Sequence, residues 1–112
     1  MIFADRFTVR EKIELLQRSI LVNSYAYYEL NENILTDFQY DANTRMLRQL
    51  KREFPEEYSN SRYFKYFENF ESGTGFDMMG MLAKDKELSA QVYRDAALGL
   101  DIKRKERFNF GG

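Results

Sequence analysis

The sequence predicts a mainly α-helical fold, a small helical domain built on an antiparallel helical hairpin with additional short helices after residue 60. Three observations carry this. Apolar residues recur at steps of three and four along two long segments, which is the period of one helix face. Each segment opens on a capping signature, and an asparagine-rich break separates them. With one proline and six glycines in 112 residues, the chain lacks the turn punctuation that a series of short strands requires.

The first helix is announced by Thr8-Val9-Arg10-Glu11. Here the threonine hydroxyl can accept from the third amide while the glutamate reaches back to the cap. Val9, Ile13, Leu16, Ile20, Tyr27 and Leu30 follow at helical steps, with Asn23 in the one polar slot, so the helix is expected over about residues 8–30. Asn31-Glu32-Asn33 interrupts it, because asparagine favours turns and left-handed backbone. Thr36-Asp37-Phe38-Gln39 repeats the capping pattern, and Asp37 suits the positive end of the helix dipole. Tyr40, Leu47, Leu50 and Phe54 continue a second helix over about residues 37–54. Pro55 stops it, with Lys51 and Arg52 in its last turn. Two helices joined by so short a connection pack antiparallel.

The rest is less regular. Tyr58 to Phe76 hold seven aromatic residues, of which Tyr63, Tyr66, Phe67 and Phe70 suit one helix face. Ser72-Gly73-Thr74-Gly75 reads as a loop, and Asp77 as the cap of a short helix over 78–83. Lys86 to about Leu98 reads as a further helix, with Leu88, Val92 and Ala96 inward and Gly99 as its end. Asp101 to Phe110 reads as a charged, loosely ordered tail. The expectation is one domain over 1–112, a hairpin at about 13–56 followed by an aromatic-rich C-terminal half.

Composition excludes several functions. With 17 basic and 18 acidic residues the net charge is -1, so no chain-wide field draws the protein to nucleic acid or to acidic lipid. The absence of cysteine and histidine removes disulfides, thiol catalysis, the commonest metal ligand and the commonest general base at neutral pH. No apolar run reaches the ~18–20 residues of a membrane span, and the charged start does not resemble a secretory signal. A cytoplasmic protein without a membrane partner is expected. Eight tyrosines and ten phenylalanines imply an aromatic core, with some rings left for display.

The most informative constellation is Tyr25-Ala26-Tyr27-Tyr28 followed by Asp37-Phe38-Gln39-Tyr40-Asp41. The hairpin puts both groups at one end. Two tyrosine rings on facing helices can sandwich a flat ring, and Asp37 and Asp41, one turn apart, can accept from hydroxyls or an amide. Carboxylates also suit a cationic ring. The plainer reading is that Tyr27 and Tyr40 pack between the helices and that Asp37 serves the helix start; Asp41, beyond the cap, has no such alternative.

These residues resemble the N-terminal helical domain, called Ia, of bacterial NAD-dependent DNA ligases. That domain reads as a helix ending in Tyr-x-Tyr-His or similar, a short loop, Asp-x-x-Tyr-Asp, and a helix running to Pro-Glu. The counterparts here are Tyr25-Ala26-Tyr27-Tyr28, Asp37 to Asp41, Arg45, Leu47, Leu50 and Pro55-Glu56. In those ligases the module closes over the nicotinamide mononucleotide (NMN) half of NAD while a separate domain performs adenylation. The resemblance implies that Tyr27 and Tyr40 sandwich nicotinamide, with Asp37 and Asp41 contacting ribose or carboxamide. It departs at Tyr28, where the family often has the histidine associated with the nicotinamide-side phosphate, and in a connecting loop without prolines. The ligase nucleophile motif, Lys-x-Asp-Gly, has no counterpart, since Lys84-Asp85-Lys86 does not fit it.

Catalysis is therefore not expected, nor is a metal site or a required cofactor, with NMN or NAD as the ligand the resemblance allows. Two surfaces suit a macromolecular partner. Arg45, Arg48 and Arg52, with Lys51, form a basic stripe on the second helix, otherwise a solvated face. Tyr63, Tyr66, Phe67 and Phe70 form an aromatic face, otherwise the closure of a helical core. The reading placed first is a non-catalytic interaction protein on a ligase-Ia-like scaffold, of the phage or mobile-element kind that binds or inhibits a host nucleic-acid enzyme. An NMN/NAD-binding module comes second and direct nucleic-acid binding third.

Overall fold

A computed structural model describes residues 6–70 and 76–111, and all regular structure among them is helical. The hairpin forms as its caps dictate. Helix α1, Val9–Glu29, starts on a capping box in which Thr8 Oγ1 accepts from the Glu11 amide at 3.1 Å and Glu11 Oε1 accepts from the Thr8 amide at 2.9 Å. Helix α2, Asp37–Glu53, repeats the device with Thr36 and Gln39 at 3.1 and 3.0 Å. Satisfying both end amides reciprocally fixes where each helix begins. Thr36 is thus the cap of α2, and Asp37 stands in its first turn. Phe54 ends α2, and Pro55 opens the single-turn helix α3, Pro55–Ser59, at the position where its missing N–H costs nothing.

Beyond the hairpin come α4, Phe64–Phe67, α5, Phe76–Ala83, and α6, Lys86–Gly111. Asp85 caps α6, its Oδ1 accepting from the Leu88 amide at 3.1 Å. Three expectations change here. Asp77 lies inside the first turn of α5 rather than capping it. Gly99 does not end α6, which runs 26 residues straight through it and takes in the segment read as a loose tail. The aromatic run supplies only one short turn of helix. The loop read at 72–75 lies outside the described residues.

Helix α1 is the centre of the molecule, packed by α2 and α6 and also by α3 and α5. That is why its buried set is wider than one stripe: Ile13, Leu16, Ile20 and Leu21 are fully buried, and so is Gln17. Gln17 Nε2 donates to Ser61 Oγ at 2.9 Å, and Ser61 Oγ donates to the Tyr58 carbonyl at 2.6 Å, so the buried polar groups are linked to one another.

Tyr63, Tyr66, Phe67 and Phe70 lie in this core with Tyr58, Met78, Leu82 and Val92. The Phe67 and Phe70 rings meet edge to face, centroids 5.1 Å apart. The aromatic face expected to receive a partner is therefore turned inward. Each such ring removes a large apolar area from water, and a chain of this size has few other residues able to do so.

Inside that core the Tyr58 hydroxyl donates to the Phe67 carbonyl at 2.6 Å. Tyr58→Phe is expected to cost about 1 kcal/mol, because the Phe67 carbonyl loses its short hydroxyl donor and keeps only the longer bond from the Phe70 amide, at 3.3 Å. Chemical denaturation should show a lower midpoint at unchanged helical circular dichroism; an unchanged midpoint would contradict the buried bond.

Candidate functional site

The tyrosine and aspartate groups meet where the hairpin turns. At the end of α1 the Ala26 carbonyl accepts from the amides of both Leu30 and Glu32, at 3.1 and 3.0 Å. Between those two, Asn31 sits at φ 58°, the left-handed region that asparagine tolerates better than most residues. Asn23, the polar interruption in the apolar stripe of α1, is buried, and its Oδ1 accepts from the Leu35 amide at 3.0 Å. Its place in the stripe is thus explained by the loop it holds.

Across the helix pair, Ser24 Oγ and Tyr40 Oη lie 3.4 Å apart. Tyr40 is half-buried, and burial raises its phenol above the usual value near 10. The Ser24 hydrogen bond opposes that shift, while Tyr28 and Asp41 add to it by charge. The α1 ring whose charge reaches the Tyr40 hydroxyl is therefore that of Tyr28. Tyr27 meets Tyr28 edge to face, centroids 4.8 Å apart at 87°. Tyr27 itself is 53% exposed, although its spacing assigned it to the buried stripe; Ala26 is buried in its stead. Asp37 and Asp41 are both exposed, and neither carboxylate is bonded to another described residue.

The hairpin thus gathers Tyr40, Tyr28 and Asp41, with Tyr27 flanking Tyr28 and Asp37 one turn before Asp41. Sequence reasoning underweighted two residues here. The sequence includes Tyr28 in the tyrosine group but gives it no contact with Tyr40, and it shows Asn23 only as a gap in a pattern. The signal for Asn23 was available, since a polar residue in a buried slot requires a hydrogen-bond partner. Phe38, 76% exposed in the first turn of α2, adds an apolar surface beside the acids.

The remaining candidates separate clearly. Arg45 and Arg52 are exposed and Arg48 is half-buried, and none of them pairs with a carboxylate among the described residues. Lys51 is engaged elsewhere, donating to the Glu68 carbonyl at 3.1 Å and lying over the Tyr58 ring. Tyr63, Tyr66, Phe67 and Phe70 belong to the core and offer no open aromatic face. Among the described residues no group of three or more acidic, cysteine or histidine side chains is arranged to hold a metal ion. No helix there is long and apolar enough to cross a membrane.

Exposed aromatic rings at the end of one helix and two unpaired carboxylates at the start of the next suit a flat, electron-poor ring carrying hydrogen-bond donors. A hairpin whose turn carries tyrosines on one arm and Asp-x-x-Tyr-Asp on the other defines a ligase-type Ia module. The comparisons agree. The family model of the DNA ligase-like, N-terminal NAD+-binding domain matches residues 6–61, and the chain belongs to that family.

Curated relatives are DNA ligases. That of Porphyromonas gingivalis is 42% identical over 45 residues, covering 40% of this chain and 7% of the ligase. That of Thermotoga maritima is 42% identical over 48 residues, 43% and 7% of the two chains. That of Pelotomaculum thermopropionicum is 44% identical over 51 residues, 46% and 8%. The chain therefore matches only 7–8% of the length of these ligases. No solved structure matches.

The acid–base behaviour of the phenols follows from their surroundings. Burial, then the Asp85 charge, raises Tyr66; burial, then the charges of Glu29 and Tyr93, raises Tyr25. A phenol whose folded pKa exceeds its unfolded value contributes stability that is complete below pH ~10 and is lost as pH rises through the folded value. A phenolate absorbance titration should show the Tyr25, Tyr40 and Tyr66 phenols ionising above the ordinary tyrosine value, with unfolding setting in as they do. Ionisation of these three phenols at the ordinary value in a still-folded chain would contradict the burial assigned to them.

Proposed function

We propose that this chain binds nicotinamide mononucleotide, free or as half of NAD, at the turn of the hairpin, and that it does so as a binding module rather than as a complete ligase. The observation that carries this reading is the exposure of Tyr27, a large aromatic ring kept out of the core at the end of α1 and packed on Tyr28, with Asp37 and Asp41 exposed at the start of α2 and their carboxylates bonded to no described residue. Exposing such a ring forgoes burial energy, and a ligand stacked on it would recover part of that energy. The residues present suit the ligand chemically. The tyrosine faces can stack on the cationic nicotinamide ring. Asp37 and Asp41 can accept from ribose hydroxyls or the carboxamide N–H, and their charge favours the pyridinium form.

Membership in a family described as NAD+-binding supports the same choice. The match reaches only the Ia module, so adenylation and DNA joining would need parts beyond it. Tyr28, which replaces the histidine often found in that family, offers a neutral hydroxyl where an imidazole could carry positive charge. This chain's hold on the nicotinamide-side phosphate is accordingly weaker than its hold on the ring.

The interaction-protein reading, including inhibition of a host nucleic-acid enzyme, has lost its aromatic surface to the core. It now rests on Arg45, Arg48 and Arg52, whose guanidinium groups are paired with no described carboxylate. These arginines also carry the nucleic-acid reading, whose mark would be affinity falling steeply with salt.

Titration with NMN and with NAD should shift the amide resonances of residues 27–41. Tyr27→Ala should weaken binding by about tenfold, the scale of one aromatic stacking contact. Asp37→Asn and Asp41→Asn should each weaken it by a smaller factor, and Arg52→Ala, three helical turns from Asp41, should leave it unchanged. No response of residues 27–41 at millimolar ligand would remove the reading.

A further inference from the structure

We propose that α6 is a positioning element for the turn between α1 and α2, fixing residues 31–35 and with them the spacing between Tyr27–Tyr28 and the Asp37–Tyr40–Asp41 group. The effect on the loop stands on its own; the effect on ligand affinity rests on the nicotinamide reading above.

Four contacts from successive turns of α6 converge on this one turn. Ala96 and Leu100 bury Ala26, Leu30 and Ile34 in a small apolar cluster separate from the main core. Ala26 is the residue whose carbonyl gathers the Leu30 and Glu32 amides, so packing at Ala26 acts directly on the backbone that ends α1. At Gly99 the Ile34 side chain fills the space a β-carbon would need: that carbon would lie 3.2 Å from Ile34 Cδ1 and 3.4 Å from Cγ2. One turn further, Lys103 Nζ donates to the Asn33 carbonyl, and Arg104 Nη2 pairs with Glu32 Oε1 at 2.8 Å.

Glycine is unfavourable in a helix interior relative to alanine. Its use in the middle of a 26-residue helix, at the point where Ile34 docks, marks a close approach. From the opposite side Asn23 holds the Leu35 amide. The loop is thereby gripped by α1 on one side and α6 on the other. The family match ends at residue 61, whereas α6 begins at Lys86. A motif shared with the family is held in place here by an element outside the matched region.

The test uses the full chain. Gly99→Val drives a branched side chain into Ile34, and adding Ile34→Ala makes room for it again. Lys103→Ala with Arg104→Ala removes the two polar contacts from exposed positions without touching the core. Gly80→Ala, where an added β-carbon meets nothing within 4 Å, is the control for replacing a helical glycine. The reporters are hydrogen exchange at the Glu32 and Leu35 amides, exchange at the core amides of Ile13 to Ile20, and NMN affinity.

Gly99→Val and the Lys103/Arg104 variant should each speed exchange at Glu32 and Leu35 while the core amides keep their rates. NMN affinity should fall by about two- to fivefold in the Lys103/Arg104 variant, the scale of exposed polar contacts. Ile34→Ala should restore slow loop exchange to Gly99→Val, and Gly80→Ala should behave as the unsubstituted chain.

Unchanged loop exchange in the Lys103/Arg104 variant would overturn the proposal, as would a speeding shared equally by loop and core in both variants. A chain silent to NMN whose loop still loosens in these variants would support the positioning role and overturn the nicotinamide reading alone.

Discussion

Helix α1 carries buried apolar residues on more than one side, and their burial governs what the other elements can do. Ile13, Leu16, Ile20 and Leu21 leave α1 in more than one direction and are all fully buried, so a single antiparallel partner could not cover them. Helix α2 takes one side, and the aromatic segment with α5 and α6 takes the others. More than half of the buried apolar residues among those described lie after residue 61. The C-terminal half is therefore structural in a direct sense, because without it the hairpin would expose much of its central helix.

This demand explains the fate of the aromatic run. A chain of this length has a high ratio of surface to volume, so large rings are the efficient way to build a core from few residues. Tyr63, Tyr66, Phe67 and Phe70 are used for that purpose. Their polar edges are met where they reach the rim: Arg18 donates to the Tyr63 hydroxyl at 3.1 Å and pairs with Asp95 at 2.6 Å, and the Tyr66 hydroxyl donates to Asp85 at 3.3 Å. Arg18 carries a raised pKa although its own burial, the largest influence on it, acts in the other direction. Its hydrogen bond to Asp95 and the Tyr63 hydroxyl together outweigh that burial.

The end of the molecule that carries Tyr27, Tyr28, Asp37, Tyr40 and Asp41 is built on different terms. There the rings stand at or near the surface and the acids remain unpaired, while the backbone beneath them is tied down from several directions. Exposed chemistry on a restrained frame is the arrangement expected of a recognition surface, since groups already in place lose less freedom when a ligand arrives. The contrast with the buried aromatic segment separates the two tyrosine-rich parts of the chain: one completes the core and the other is displayed.

Local sequence determined the hairpin. Both capping boxes, the break at Asn31-Glu32-Asn33 and the stop at Pro55 act through hydrogen bonds and backbone preferences within a few residues of each other, so they are readable without a fold. The family motif is legible for the same reason, its spacing being a property of one turn and its two flanking helices. Tertiary structure alone decided which face of each element is covered. Periodicity could not show that Ala26 is buried and Tyr27 exposed, because the difference lies in α6 bringing Ala96 and Leu100 against that turn of α1. Nor could it show that α6 continues past Gly99, where the missing side chain serves Ile34, a residue 65 positions earlier in the chain. Such contacts depend on which distant segments come together in space, and that is settled only when the whole core closes.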